Sequence, residues 1–89
     1  MFYFKRHWNE SRGDAHDDWG VSTWYFETGE DMWPTRLIEV YANGRVSRYD
    51  RQLVEDEFGG LSEAALDAAE FAPFAITQSE FEQVWSSTN

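Results

Sequence analysis

The chain has 89 residues, a formal net charge of -10 and an aromatic content of 18%, and it contains no cysteine. This length is enough for one domain with a small core, so we expect a single domain over residues 1–89. The aromatic content argues against a disordered polymer, the absence of cysteine excludes disulfides and thiolate zinc sites, and the negative charge disfavours binding to nucleic acid.

The first half of the chain has the side-chain alternation that is typical of strands. Aromatic and polar residues alternate over 2–8, and β-branched and aromatic residues fill 22–27, with a polar, turn-rich loop between them. We predict a third strand over 33–42. Asn43-Gly44 is a strong signal for a two-residue type I′ hairpin, so residues 45–50 are expected to return as a fourth strand.

The second half has the patterns of helices. Ser62 can cap a helix over the alanine-rich residues 63–71. Thr77 or Ser79, each followed three residues later by a glutamate, can open a second helix. The element order predicts an α+β fold, in which a four-stranded antiparallel meander is followed by two helices packed on one face.

The hairpin turn also predicts which residues face each other across the third and fourth strands. A two-residue loop places Glu39 opposite Arg48 as a favourable pair, and it places Arg36 opposite Arg51. Like charges opposed in a sheet are unfavourable, so we expect acidic side chains beside these two arginines, with the acidic run 55–57 as their natural source. The arginines would then form an internal charge network.

The same register assigns the two faces of the hairpin. Ile38, Val40 and Tyr49 share a mostly apolar face, which we predict to lie in the core. Leu37 and Tyr41 fall on the other face among charged residues, and we predict this mixed face to meet solvent. Helices on one side of the sheet would cover the first face only.

The charge is distributed unevenly between the sheet part, residues 1–51, and the acidic helical part, residues 52–89. The first carries a net charge of -2, and the second has eight acids and no base, a net of -8. Such a surface attracts basic proteins, many of which hold nucleic acid. We therefore predict a partner-binding surface made of these eight carboxylates, three of them in one helical stripe (Glu63, Asp67 and Glu70): Glu55, Asp56, Glu57, Glu63, Asp67, Glu70, Glu80 and Glu82. The alternative is charge that only keeps the protein in solution.

Chemistry-bearing motifs are sparse. Several residues are of types that can bind metals: His7, His16 and the neighbouring Asp14, Asp17 and Asp18. Their spacing matches no recognised ligand motif. The sequence has no nucleophile elbow and no glycine-rich phosphate loop. We predict no catalytic residue, no metal, no cofactor and no enzyme activity. A small metal-dependent enzyme using His7 and His16 is the alternative.

Three segments resemble a family of small bacterial proteins known only as a domain of unknown function. RLIEVYANGR, residues 36–45, is similar to its hairpin, and AITQSEFEQVW, residues 75–85, is similar to its closing helix. STWYFETGEDMW, residues 22–33, fits its strand and turn, so the resemblance covers nearly the whole chain. It implies the fold and brings no catalytic residues. Small acidic bacterial proteins of this type are often immunity proteins or antitoxins.

We therefore predict a small acidic protein that inhibits a nuclease toxin by occluding its nucleic-acid-binding surface, as an immunity protein or antitoxin does. A phage-encoded nucleic-acid mimic that inhibits a defence nuclease, of the anti-CRISPR type, is an alternative. We expect no direct binding of nucleic acid or membrane and a monomer or weak dimer. A third hypothesis is a housekeeping or oligomeric domain without a role for the acidic surface, in which exposed Trp19, Trp24 and Trp33 would mark a dimer interface. The chain has no long apolar run and no signal-peptide pattern, so we expect it in the cytoplasm.

Overall fold

The computed structural model describes residues 1–8, 19–56, 59–61 and 64–87. An antiparallel sheet with the order β1-β2-β3-β4 dominates it. Its strands are β1 (Phe2–Trp8), β2 (Ser22–Thr28), β3 (Pro34–Tyr41) and β4 (Val46–Tyr49). A short two-stranded ribbon follows, made of β5 (Glu55–Asp56) and β6 (Gly59–Gly60). The predicted four-stranded meander is confirmed.

Two helices complete the described part: α1 (Ala68–Phe71), which continues into a 3₁₀ turn (Ala72–Phe74), and α2 (Gln78–Ser87). The α+β class and the order of four sheet strands followed by two helices are confirmed, whereas the ribbon β5-β6 was not predicted. α1 is shorter than the predicted 63–71 because Asp67 caps it, its Oδ1 accepting the Glu70 N–H at 3.0 Å. Thr77 opens α2, since its Oγ1 accepts the Glu80 N–H at 3.1 Å. Across the described ranges, neither helix has the length and apolar character needed to span a bilayer.

Both faces of the sheet are buried, because apolar residues are adjacent in its strands and successive side chains point to opposite faces. Leu37 is 1% exposed, although we expected it to meet solvent, and Ile38 is 0% exposed. The Leu37 face packs against Phe71 of α1, and the Ile38 face packs against Phe81 of α2. The two helices therefore lie on opposite faces of the sheet and not on one, since each apolar face needs its own cover.

The turn between β3 and β4 has three residues, not the two predicted from Asn43-Gly44. The Tyr41 N–H donates to the Arg45 carbonyl at 2.9 Å, and the Gly44 N–H donates to the Tyr41 carbonyl at 2.9 Å. Gly44 has a φ of 92°, so a turn followed by a left-handed glycine closes the hairpin. The third loop residue shifts the strand register by one position.

The shifted register removes both predicted arginine pairings. Ile38, rather than Glu39, faces Arg48. The paired part of the hairpin ends before Arg36 and Arg51, so these two arginines are not opposed. In the shifted register the position opposite Arg36 would be Asp50, so the predicted like-charge contact with Arg51 does not arise.

Replacing Gly44 with alanine tests this turn. We expect a loss of about 1–2 kcal/mol in the free energy of unfolding, measured by urea denaturation, because a β-carbon disfavours the left-handed conformation. No atom lies within 4 Å of the added β-carbon, so the cost is backbone strain alone. Gly44→Asn should lose less, because asparagine tolerates this conformation. Equal stability of the alanine variant and the parent protein would contradict the three-residue turn.

Candidate functional site

The structure separates the predicted carboxylates instead of forming one surface from them. Glu55 is exposed on β5, Glu70 lies on α1, and Glu80 and Glu82 lie on α2, which covers the opposite face of the sheet. Asp67 precedes α1 as its cap, so the predicted helical stripe through Asp67 and Glu70 does not form. The acidic part therefore contributes carboxylates at several places on the exterior.

Other predicted residues cannot be placed. The following lie outside the described residues: Asp14, His16, Asp17, Asp18, Glu57, Ser62 and Glu63. Of Asp56 the backbone alone is described. His7 on β1 has its Nδ1 at 3.1 Å from the Thr23 hydroxyl oxygen. Within the described ranges no three histidine, aspartate or glutamate side chains are grouped as metal ligands would be.

The expected charge network around Arg36 exists, and its described acids come from β2 and α2. The Arg36 Nε donates to Glu27 Oε1 at 3.0 Å, and its Nη2 reaches Glu27 Oε2. On its other side, Arg36 Nη1 and Nη2 donate to the two Glu82 oxygens at 2.9 and 2.8 Å. The Thr35 hydroxyl donates to Glu27 Oε1 at 2.7 Å. One guanidinium thus ties the sheet to α2.

The network changes the acidity of its members. Burial raises the pKa of Glu27, but the hydrogen bonds from Arg36 and Thr35 outweigh burial, so the pKa of this carboxyl lies below its ordinary value. The hydrogen bond from Arg36 also lowers the pKa of Glu82. Both bonds raise the pKa of Arg36 itself. All three groups are charged at neutral pH, which makes the network a structural element and leaves it no proton to exchange.

Three further arginines lie over tryptophan rings of the same chain. The distances from guanidinium carbon to ring centre are 4.4 Å for Arg6 and Trp8, 4.4 Å for Arg45 and Trp19, and 4.0 Å for Arg48 and Trp85. Arg6 Nη1 also donates to Glu70 Oε1 at 2.6 Å. Such contacts are favourable because the ring face is electronegative. These three arginines are therefore engaged by side chains of the same chain.

The tryptophans that we expected at a dimer interface differ in exposure. Trp19 is buried, with its ring centre 5.0 Å from that of Tyr41, so the expectation was wrong for this residue. Trp24 is half-buried, and its Nε1 donates to the Ser22 hydroxyl at 2.8 Å. Trp33 is 47% exposed. It alone of the three offers a large apolar surface to a partner.

Sequence reasoning missed one surface, at the turn between β2 and β3. Trp33 lies there with Glu30 and Asp31 beside a cleft of about 680 Å³. A second groove, of about 450 Å³, shares Glu30 with this cleft and is rimmed by Phe2. A tryptophan after an acidic turn, in GEDMW, was the pattern in the sequence that could have indicated this surface. The adjoining groove could not be predicted in this way, because its walls come from residues that are distant in the chain.

Comparison with protein-family models gives a match over nearly the whole chain. A family model described as "Domain of unknown function (DUF6881)" matches residues 3–89. Neither the curated proteins nor the solved structures gave a significant match. The matched range includes the whole sheet from Tyr3 onward and both helices, and the family description assigns no activity.

Proposed function

We propose that this chain, which belongs to the family described as Domain of unknown function (DUF6881), is a binding protein and not an enzyme. Its role would be to neutralise a basic, nucleic-acid-binding protein. The observation that supports this function is a difference between the basic and the acidic side chains in how far they are engaged by the rest of the chain. Five of the six described lysine and arginine side chains contact carboxylates or aromatic rings of the same chain, whereas Arg51 is exposed, and several carboxylates remain on the exterior of a protein with a net charge of -10.

Individual residues illustrate this inequality. Arg36 is held between two carboxylates, and Arg45 lies over a buried tryptophan. Glu55 is exposed, and the side chains of Glu70 and Glu82 keep 51% and 42% of their accessible surface although each is ion-paired. A partner approaching from solvent therefore meets a negative potential, which accelerates the encounter with a basic surface.

The mechanism is occlusion. Carboxylates on the exterior would occupy the positions that phosphates take on the basic surface of a nuclease, so nucleic acid could no longer bind there. The acidic part, residues 52–89, supplies most of this charge, and Glu55, Glu70 and Glu80, which lie at separate places, are the described carboxylates that we propose to contribute. A nuclease toxin in the cytoplasm is the partner that we propose, which makes the protein an immunity protein or antitoxin. Association of this kind is fast and weakens with salt.

The test is capture of partners from lysate on immobilised protein at low and high salt, followed by a nuclease assay with the purified partner. We expect a basic nuclease whose activity falls as the protein is added in equal amount. Glu55→Lys combined with Glu80→Lys should weaken binding by about tenfold, or about 1.4 kcal/mol. Gln83→Lys is the matched control, because it adds a charge to α2 without removing a carboxylate.

Two results would overturn the proposal: no nucleic-acid-processing protein is retained at low salt, or the charge-reversed variant binds as well as the parent. The identity of the partner also distinguishes two functions that share this occlusion mechanism. A toxin indicates immunity, whereas a defence nuclease indicates a phage-encoded nucleic-acid mimic.

A further inference from the structure

One end of the sheet carries an exposed surface that combines aromatic and acidic side chains. The start of β1 and the turn between β2 and β3 meet there, because Phe2 pairs with Thr28. Phe2 is 46% exposed and Trp33 is 47% exposed. We call this the turn surface and define it by Phe2, Glu30, Asp31 and Trp33. It lies outside the eight carboxylates of the acidic part.

The cleft beside Trp33 has acidic and aromatic side chains on its walls. Glu30, Asp31 and Arg51 line it, and no ion pair joins Glu30 to another described residue. Trp8, Trp19 and Trp85 each carry an arginine of this chain over their rings, whereas no described cation lies over Trp33. The Trp33 ring is thus an exposed acceptor for a cation, with two carboxylates beside it.

The adjoining groove fits an apolar side chain. Its walls include Phe2 and Met32, and three alanines of the α1 region line it: Ala68, Ala72 and Ala75. Small side chains leave room for a larger one from outside. Glu30 lines both the groove and the cleft, so a segment lying across Glu30 could reach both.

The turn is also held in shape before any partner arrives. Met32 has a φ of 68°, which is uncommon for a residue other than glycine, and its carbonyl accepts the Leu66 N–H at 2.9 Å. The Gly29 N–H donates to the Trp33 carbonyl at 3.1 Å, and the Trp33 N–H donates to Asp31 Oδ1 at 3.1 Å. A surface that needs little ordering on binding loses less entropy when it binds.

We propose that the turn surface docks a loop of the basic partner in which an arginine or lysine adjoins a leucine-sized apolar residue. The cation lies over Trp33 against Glu30 and Asp31, and the apolar side chain enters the alanine-lined groove. This inference rests on the proposed function, whose partner it describes further. A second copy of the chain fits poorly, because a two-fold contact through this surface would bring Glu30 and Asp31 close to their own copies.

Arg51 provides a variant whose expected effect on affinity is opposite to that of a change at Glu30. It lines the same cleft, so its charge opposes an incoming cation. Glu30→Gln should weaken binding of a cationic segment by about threefold to fivefold, and Arg51→Gln should strengthen it by a similar factor, since a favourable charge contact near the surface is worth about 1 kcal/mol. Both residues are exposed, so neither change should unfold the protein.

The experiment uses ¹⁹F NMR of protein labelled with 5-fluorotryptophan, which gives one signal for each of the five tryptophans. Trp33→Phe assigns the Trp33 signal by its loss. The probe is the peptide acetyl-Leu-Arg-Leu-Arg-amide, and the matched control is acetyl-Leu-Gln-Leu-Gln-amide. We expect the arginine peptide to move the Trp33 signal most, with affinities that follow the order Arg51→Gln, parent, Glu30→Gln.

An unmoved Trp33 signal, or an equal response to the glutamine peptide, would overturn the inference. A Trp33 signal that changes with protein concentration alone, together with a dimer by light scattering, would identify a second copy as the occupant and also overturn it. If a captured nuclease binds Trp33→Ala and Glu30→Gln variants as well as the parent, the turn surface is wrong while the proposed function stands. If the peptide behaves as expected and no nuclease is captured, the proposed function fails and the cation-binding surface stands.

Discussion

Replacing Arg36 with alanine is expected to lower the free energy of unfolding by about 3–5 kcal/mol, the usual cost of removing one partner from a buried ion pair. The Glu27 side chain is only 8% exposed, and Arg36 supplies two of its hydrogen bonds. Without the guanidinium, a carboxylate would remain buried without its compensating charge. Glu82 would also lose its link to the sheet. Urea denaturation at neutral pH measures this loss.

Two variants separate the loss of the ion pair from the loss of a side chain. Arg51→Ala removes an exposed arginine and should change stability by less than about 0.5 kcal/mol. Adding Glu27→Gln to Arg36→Ala should recover part of the loss, because the unpaired charge is then gone. If Arg36→Ala costs no more than Arg51→Ala, the network does not hold α2 to the sheet.

The pH dependence of stability provides a second test of the ion pair between Arg36 and Glu27. In the parent protein the pKa of Glu27 lies below its ordinary 4.5. The ion pair therefore contributes its full stability above pH 4.5, and this contribution is lost as the pH falls through the pKa of Glu27 in the folded state. In Arg36→Ala burial is still opposed by the hydrogen bond from Thr35 but no longer by Arg36, so we expect the pKa of Glu27 to rise and protonation to favour the folded variant. The difference in stability between parent and variant should therefore shrink from pH 7 to pH 4.

Replacing Phe81 with alanine is expected to cost about 3–5 kcal/mol, as do large aromatic truncations in other cores. Phe81 is 0% exposed, with its ring centre 5.3 Å from that of Tyr3 and 6.2 Å from that of Trp85. It also packs with Ile38, so the cavity would open in the layer between α2 and the sheet. Small domains are stable by about 5–15 kcal/mol in total, so this variant should be close to unfolding at room temperature.

Thermal and urea denaturation measure the effect of Phe81→Ala, with near-ultraviolet circular dichroism to follow the tryptophan environment. Leu53→Ala is the control, because Leu53 is 50% exposed and should lose under about 0.5 kcal/mol. A loss below about 1 kcal/mol for Phe81→Ala would mean that α2 contributes little to the core. Both variants leave the net charge unchanged, so any difference arises from packing.

Several of the fold's elements could be predicted because their signals are local. Alternation along 2–8 and 22–27 identified two strands, and the threonine cap with its following glutamate located the start of α2. The first helix was predicted too long because its alanines are good helix formers, whereas in the structure Asp67 caps α1. Propensity alone does not choose between two possible helix starts.

The site was harder to predict because its contacts join distant parts of the chain. Glu82 was expected to face a partner, but it binds Arg36, from which it is separated by 46 residues. The groove beside Trp33 needs Phe2 and the alanines of the α1 region, which have no shared pattern in the sequence. The exposed Trp33 was predicted correctly, yet its neighbours depend on how the sheet and α1 meet.

The sequence by itself determined the α+β class, the order of the elements and the excess of acids after residue 51, since each follows from residue types or from periodicity over a few positions. Only the tertiary structure decided the hairpin register, the opposite placement of the two helices and the partners of Arg36. One loop residue at Gly44 reverses which side chains share a face, and burial of both Leu37 and Ile38 requires a helix on each side. These outcomes depend on packing between distant segments, which local sequence patterns do not encode.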